Sequence, residues 1–318
     1  MLDIRKIVRP ELAVPDVRLA VQAALAQSSH CVPSGGIMLS VTNKHHGRLR
    51  PLQFAFVREM PCFMRRVVSV CFNNVSDAFG TCVRSSFVIP PSDFRRSNYA
   101  NLIWAKWHII GAALRSGARM AMWIDADVLI LRNPWTALRL IGPLAGTNAP
   151  LYDIQYQSEP PPSATQHQTC SKPLPVCPEC ASINGGQLLV ANPEIAEHIY
   201  SARPRNLSNT DRLDQDWADA VIHNESRFAY LLGNSSRPRY SQCVLPPTFM
   251  AECWTTRGFA RKGGHGRKRS GRHNTSGFDC SQVTHHFNCL PTRREKGAHM
   301  KTLIEQWQRK CGNDTARE

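Results

Sequence analysis

Nowhere in this 318-residue sequence does an uninterrupted run of about twenty apolar residues occur, which excludes a helical membrane span within it. No leader is legible either: "VRLAVQAALAQ", near the start, is too short and too amphipathic to serve as a signal peptide. Internal repeats are absent. Acidic residues are scarce, 24 Asp and Glu against 39 Lys and Arg, for a net charge of +15. Such an excess suits polyanionic partners. Yet no zinc-finger, helix-turn-helix or RNA-binding signature accompanies it, so no nucleic-acid partner is expected. The imbalance is also local. Arg257, Arg261, Lys262, Arg267, Lys268, Arg269 and Arg272 lie in one glycine-rich segment, and without these seven the net charge is +8. That run reads as a solvated loop.

What is plentiful is cysteine and the glycosylation pattern. Twelve cysteines are many for a cytosolic enzyme, and Asn-x-Ser/Thr occurs at Asn74, Asn206, Asn224, Asn234, Asn274 and Asn313. Together they favour an oxidising secretory lumen. "CSKPLPVCPEC", Cys170 to Cys180, contains a CxxC that could bind zinc but lacks a second well-spaced pair, so it reads as a disulfide-tied loop. Luminal chemistry without a leader is reconciled by a type II membrane protein of the Golgi or secretory lumen whose anchor is not in this chain. Contact with the membrane is expected only through that anchor.

At 42% hydrophobic residues the chain can bury one sizeable core. Residues 1–36 read as an N-terminal stem or partial strand-helix lead-in, ending in the breaker "PSGG". Residues 37–318 read as one α/β domain with loop insertions near 155–180 and 255–277. "IMLSVT" (37–42) is a buried strand, "LRPLQFAFVREM" (49–60) a helix and "RRVVSVCFN" (65–73) a second strand. Strand, helix, strand implies a parallel sheet. Ile103, Trp107, Ile110 and Leu114 recur at helical spacing, with Gly117 as the C-cap. "SINGGQLLVANP" reads as a turn feeding a short strand, its glycines Gly185 and Gly186 allowing close approach of a ligand. "RLDQDWADAVIH" opens a helix.

"WIDADVLILRNP" poses the functional question. A strand turns residues two apart to one face, so Asp125 and Asp127 point together at its C-terminal end, where α/β sheets collect ligands. Two carboxylates that close are unfavourable unless a cation, a donor or a proton sits between them. Alone, the pair could equally be a strand-end turn and a helix cap. Gln215 could be an ordinary helix N-terminal residue after an Asp214 cap. Trp104, Trp107 and Trp123 read as core.

The order of pieces "DAD", "NxG", "DQ" and a terminal "HHF" resembles the nucleotide-diphospho-sugar transferases of GT-A fold that include plant and algal cell-wall arabinosyl, xylosyl and galactosyl transferases. It is also similar to the Golgi galactosyl/mannosyl transferase family. The resemblance spans roughly residues 37 to 308 and implies a Rossmann-like, mixed, mostly parallel sheet flanked by helices in a single catalytic domain. It implies that Asp127 binds a divalent cation bridging the donor phosphates, that Asp125 contacts the ribose or the metal, and that His286, or else His285, completes the shell. A carboxylate–imidazole set with phosphate oxygens suits manganese. Asn184 and Gly185 would touch the donor sugar, Asp214 and Gln215 would flank the sugar hydroxyls and anomeric carbon, and Thr42 and Asn43 would hold the base. Lys106 would lie near the nucleotide. Cys289 stands where the related sequences place a glycine ahead of a diphosphate-binding lysine, leaving Lys296 and Lys301 as candidates, with Lys301 assigned to the donor.

These assignments imply a glycosyltransferase moving a sugar from a nucleotide donor, a UDP-sugar, to a glycan or glycoprotein acceptor with retention of configuration. The competing readings are a transferase-like carbohydrate-binding protein without activity and a polyanion-binding protein driven by the basic loop.

Overall fold

The computed structural model describes residues 16–43, 46–85, 97–141, 152–159, 182–201, 218, 221–222, 240–244, 250–252, 280–287, 290 and 292–312. Strands β1 (Gly36–Thr42), β2 (Val67–Cys71) and β4 (Met120–Ile124) are buried along their whole length. That burial on both faces is why they read as continuous apolar runs rather than as alternating ones. With the half-exposed β3 (Thr81–Arg84), and with β6 (Ile154–Glu159), β7 (Ser182–Val190) and β8 (Gln242–Val244), they form a seven-stranded sheet ordered β3-β2-β1-β4-β7-β6-β8. Pairing is parallel from β3 to β4, antiparallel on both sides of β7, and parallel again between β6 and β8. The sheet is therefore mixed and mostly parallel, as expected.

Chain order decides where a ligand can sit. The first three strands step outward from β1, and the chain then returns to place β4 on β1's other side. This reversal puts the topological switch point beyond the carboxyl ends of β1 and β4, the place where open α/β sheets bind ligands. Thr42 and Asn43 close β1 there, and Asp125 follows β4. Because β7 runs antiparallel to β4, with Ile124 opposite Gln187, its early residues Asn184–Gly186 lie at the same edge.

Helices α1 (Arg18–Ala26), α4 (Ser97–Arg115) and α6 (Pro193–Ser201) cover one face. Trp104, Trp107 and Ile110 of α4 pack there with Leu39, Val70 and Trp123. Each such side chain withdrawn from water contributes about 2–3 kcal/mol. Gly117 ends the helix at φ +105°, a conformation that favours glycine. Against the other face lie Phe63 of α3 (Pro61–Met64) and Trp135 of α5 (Pro134–Ile141). A second sheet, ordered β5 (Val128–Ile130), β10 (Thr284–His286), β9 (Met250–Glu252), is backed by α7 (Arg293–Cys311) through Leu129, Phe287, Met300, Leu303 and Trp307.

Several expectations change. Only α2 (Arg50–Gln53) of the helix expected over 49–60 forms. Beyond it the backbone continues in turns, Ala55 bonding to Leu52 and Val57 to Phe54, and Pro61 starts a new helix. The loop expected from residue 155 begins instead as β6, and the turn expected at "SINGGQ" is part of β7, with a register shift opposite Tyr156/Gln157. The acidic stretch is not one strand: β4 ends at Ile124, the chain turns, and β5 joins the second sheet. Of the two readings of residues 1–36, the described part suits the lead-in: Val17, Val21 and Ala24 are fully buried in the main core, and Cys31 is bonded to Cys62. The "DQ" residues Asp214 and Gln215, the Cys170–Cys180 stretch, the insertion at 255–277 and the basic run within it lie outside the described residues. Ala218, Val221 and Ile222, from the helix expected after "DQ", are helical and buried.

Candidate metal and donor site

Two chain-distant elements deliver the three candidate ligands. The β4–β5 turn carries Asp125 and Asp127, and β10 carries His286 in antiparallel register with Val128. Each offers one ligand atom, and these atoms lie within 4.8 Å of one another. Among the described residues this is the group of His, Cys, Asp and Glu that could hold a metal ion. His286 Nε2 is 3.4 Å from Asp127 Oδ1, and the Phe287 N–H donates to the Asp127 carbonyl at 3.1 Å, locking β10 to the turn. His285 points elsewhere: Gln282 Nε2 donates to its Nδ1 at 2.9 Å, and burial first, then the His286 and His299 charges, lowers its pKa to about 3. Of the two histidines left open by the sequence, His286 is the one that meets the carboxylates.

The turn is held on every side. The Asp125 N–H donates to the Gly186 carbonyl at 2.8 Å, Gln53 Nε2 donates to the Asp125 carbonyl at 2.7 Å, and Trp123 Nε1 donates to Asp125 Oδ1 at 2.7 Å. On β7, the Gly186 N–H donates to Asn184 Oδ1 at 2.8 Å. Lys106, 3% exposed, donates to the Gly185 carbonyl at 3.1 Å. Gly186 has a different purpose from the one expected. A Cβ there would lie 2.2 Å from His286 Cε1 and 2.6 Å from its Nε2, so the missing side chain admits the imidazole rather than a ligand. Gly185 remains beside it.

The two carboxylates have opposite electrostatics. Burial, reinforced by Asp127, pushes Asp125 up to about 6 against the pull of Lys106, His286 and the Trp123 N–H. Asp127 is also raised by burial, but His286 and Lys296 outweigh that and hold it well below the usual carboxylate range. The Lys296 ammonium is bonded to Asp127 Oδ2. Lys301, the lysine expected at the donor, is exposed further along α7. Thr42 and Asn43 are buried at the end of β1, where Asn43 Oδ1 accepts from the His46 N–H at 2.9 Å.

Gln53, Trp123 and Lys296 thus join the site. Sequence reasoning placed Trp123 in the core, which its 1% exposure confirms, but could not see its indole N–H on Asp125. For Gln53 the only signal was a polar residue inside an apolar run.

No protein-family model matches this sequence, and no curated protein matches it. Solved structures it is similar to include glycosyltransferases. One is involved in glycosylation of the major capsid of PBCV-1: 16% identity, TM-score 0.46, covering 84% of this chain and 98% of that one. A second is the galactosyltransferase LgtC with donor and acceptor sugar analogs: 11% identity, TM-score 0.45, covering 85% of this chain and 98% of that one. A third is GlyE of Streptococcus pneumoniae TIGR4: 9% identity, TM-score 0.42, covering 86% of this chain and 63% of that one. Likeness at this level carries no argument about activity, which must come from the chain's own residues.

Proposed function

We propose that this chain is a metal-dependent glycosyltransferase that moves a sugar from a nucleotide diphosphate donor, a UDP-sugar, to a glycan or glycoprotein acceptor. The observation that carries this reading is the convergence of Asp125, Asp127 and His286 at the β1/β4 switch point, within reach of one ion. The donor set fits a divalent cation. Two carboxylates and an imidazole suit manganese when phosphate oxygens complete the shell, and the Lys296 ammonium on Asp127 marks the place as one that takes positive charge. When bound, the cation would neutralise the departing diphosphate.

The chain's own groups have distinct tasks. Breaking the bond between anomeric carbon and phosphate leaves positive charge on the sugar and negative charge on the diphosphate, so cations at the phosphate end lower the barrier. Lys296, bonded to Asp127, is assigned this task in place of Lys301. Thr42 and Asn43, at the end of β1, are assigned to the base, Lys106 and Gly185 to the nucleotide and sugar, and Asn184 to the sugar. Asp214 and Gln215 are assigned to the anomeric centre, with Gln215 orienting it rather than attacking. Retention rests on the motif resemblance.

A Golgi or other secretory-lumen location is supported by the disulfides Cys31–Cys62, Cys71–Cys82 and Cys280–Cys311, in addition to the glycosylation patterns. Among the described residues no helix is long and apolar enough to cross a membrane. A screen of UDP-sugars with manganese, scored by UDP release with and without chelator, tests the activity. Release above the Asp127→Asn background supports it, and none with any donor overturns it.

A further inference from the structure

Between β1 and β2 a buried guanidinium is wired to the acidic turn. Arg50 and Asp77 form an ion pair with both side chains 2% exposed. All five N–H groups of Arg50 are engaged. Nε and Nη2 donate to Asp77 Oδ2, and Nη2 also donates to Ser69 Oγ at 2.5 Å. Nη1 donates to Ser40 Oγ at 2.7 Å and to Gln53 Oε1 at 2.6 Å. Ser40 and Ser69 are fully buried and face each other in register across β1 and β2. With Oε1 taken by Arg50, the Gln53 amide has one orientation, and its Nε2 donates to the Asp125 carbonyl at 2.7 Å.

A buried ion pair is a poor stabiliser, because desolvation offsets most of the attraction. Holding β1 to β2 also needs no link to residue 125. Gln53 supplies that link. The Asp125–Ala126 peptide starts the turn that carries both carboxylates, so whatever fixes its carbonyl sets how far Asp127 stands from Asp125 and His286. On the other side of Asp125, its N–H is fixed by Gly186, against which the His286 ring packs.

We propose that Gln53, oriented by Arg50, is a positioning residue for metal binding: it holds the Asp125 carbonyl so that the carboxylates of Asp125 and Asp127 meet one cation with His286. The proposal rests on the metal-dependent reading above. Partners that orient ligands typically control metal affinity tenfold to a hundredfold.

The test is manganese binding without nucleotide, followed by calorimetry and the manganese paramagnetic resonance spectrum, on the wild type, Asp127→Asn, Gln53→Met and Ser40→Ala. Ser40→Ala removes another acceptor of the same Arg50 nitrogen but leaves the Gln53–Asp125 bond, so it controls for stability. Gln53→Met should bind manganese about tenfold or more weakly, with an altered spectrum, and melt no lower than Ser40→Ala, which should keep wild-type affinity. Gln53→Glu keeps an acceptor for Arg50 but turns the donor to Asp125 into a carboxylate oxygen that repels its carbonyl, so it replaces Gln53→Met if that variant does not fold, and it too should bind more weakly. Wild-type affinity and spectrum in the Gln53 variants, beside lost binding in Asp127→Asn, would overturn the positioning role and leave the metal site standing. Equal loss in Gln53→Met and Ser40→Ala would also overturn it, as a stability effect. No manganese binding by the wild type, either without nucleotide or with UDP present, would overturn both readings.

Discussion

Asp125 and Asp127 are neighbours in sequence and opposites in energetics, and the difference predicts mutants of opposite sign. In the folded protein the Asp125 carboxylate is disfavoured, its pKa raised from 3.8 to about 6 chiefly by burial. A raised carboxyl pKa means that the fold binds the proton more tightly than the unfolded chain does. Asp125 therefore destabilises the fold increasingly as pH climbs from 3.8 to about 6, and fully above that. Asp125→Asn, which keeps an acceptor for the Trp123 indole, should melt at or above the wild-type temperature at neutral pH in chelator. Asp127 is shifted the other way by His286 and Lys296, and Asp127→Asn should lose about 1–2 kcal/mol there. Sequence reasoning alone, seeing two like charges, expects relief of repulsion from either change. The partners that reverse the sign, His286 and Lys296, come from the far end of the chain. Gly186 is a third test at this scale. Gly186→Ala forces a Cβ into the His286 ring, so manganese-dependent UDP binding should weaken by about tenfold or more, read by titration calorimetry, while the apo protein still folds.

Among the elements, α7 determines where Lys296 stands. Thr292 caps the helix, its Oγ1 accepting from the Glu295 N–H at 3.2 Å while Glu295 Oε2 accepts from the Thr292 N–H at 3.2 Å. This capping box satisfies two end donors of the turn in which Lys296 follows. Thr292→Ala should cost about 1 kcal/mol in denaturant unfolding. The fold was legible where one element buries both faces or one stripe. The runs of β1, β2 and β4 and the helical spacing of Trp107, Ile110 and Leu114 led to the right elements. It was not legible where tertiary contacts decide. Residues 49–60 carry a helical pattern, yet after Gln53 the chain turns, with Arg50 and Gln53 directed toward Ser40, Ser69 and Asp125. The apolar run through "WIDADVLIL" hid a crossing from one sheet to another, because both halves are buried. At the site, the acidic pair, Asn184 and His286 were readable as motifs. Gln53 was not, since it meets Asp125 across 72 residues of sequence.

For the molecule as a whole, the disulfides tie chain ends to the body. Cys31–Cys62 and Cys280–Cys311 each close 31 residues, worth about 3–4 kcal/mol apiece in the chain-entropy account. The second links α7 to the segment leading into β10, so the helix carrying Lys296 and the strand carrying His286 share one staple. Expressed behind a secretion signal, the protein should yield Cys31–Cys62, Cys71–Cys82 and Cys280–Cys311 linked peptides by mass spectrometry and lose mass on N-glycosidase treatment. A fully reduced, unglycosylated product from that route would contradict the luminal assignment. On the proposed function, the switch point binds a nucleotide diphosphate through a shared cation. Linkage then requires UDP and manganese each to tighten the other's binding by the same factor. The most direct measurement is calorimetric titration of UDP into the wild type and Asp127→Asn, with manganese and with chelator. Metal-dependent UDP binding in the wild type that is lost in Asp127→Asn is the predicted result, and UDP affinity indifferent to manganese, or unchanged by the substitution, would contradict it.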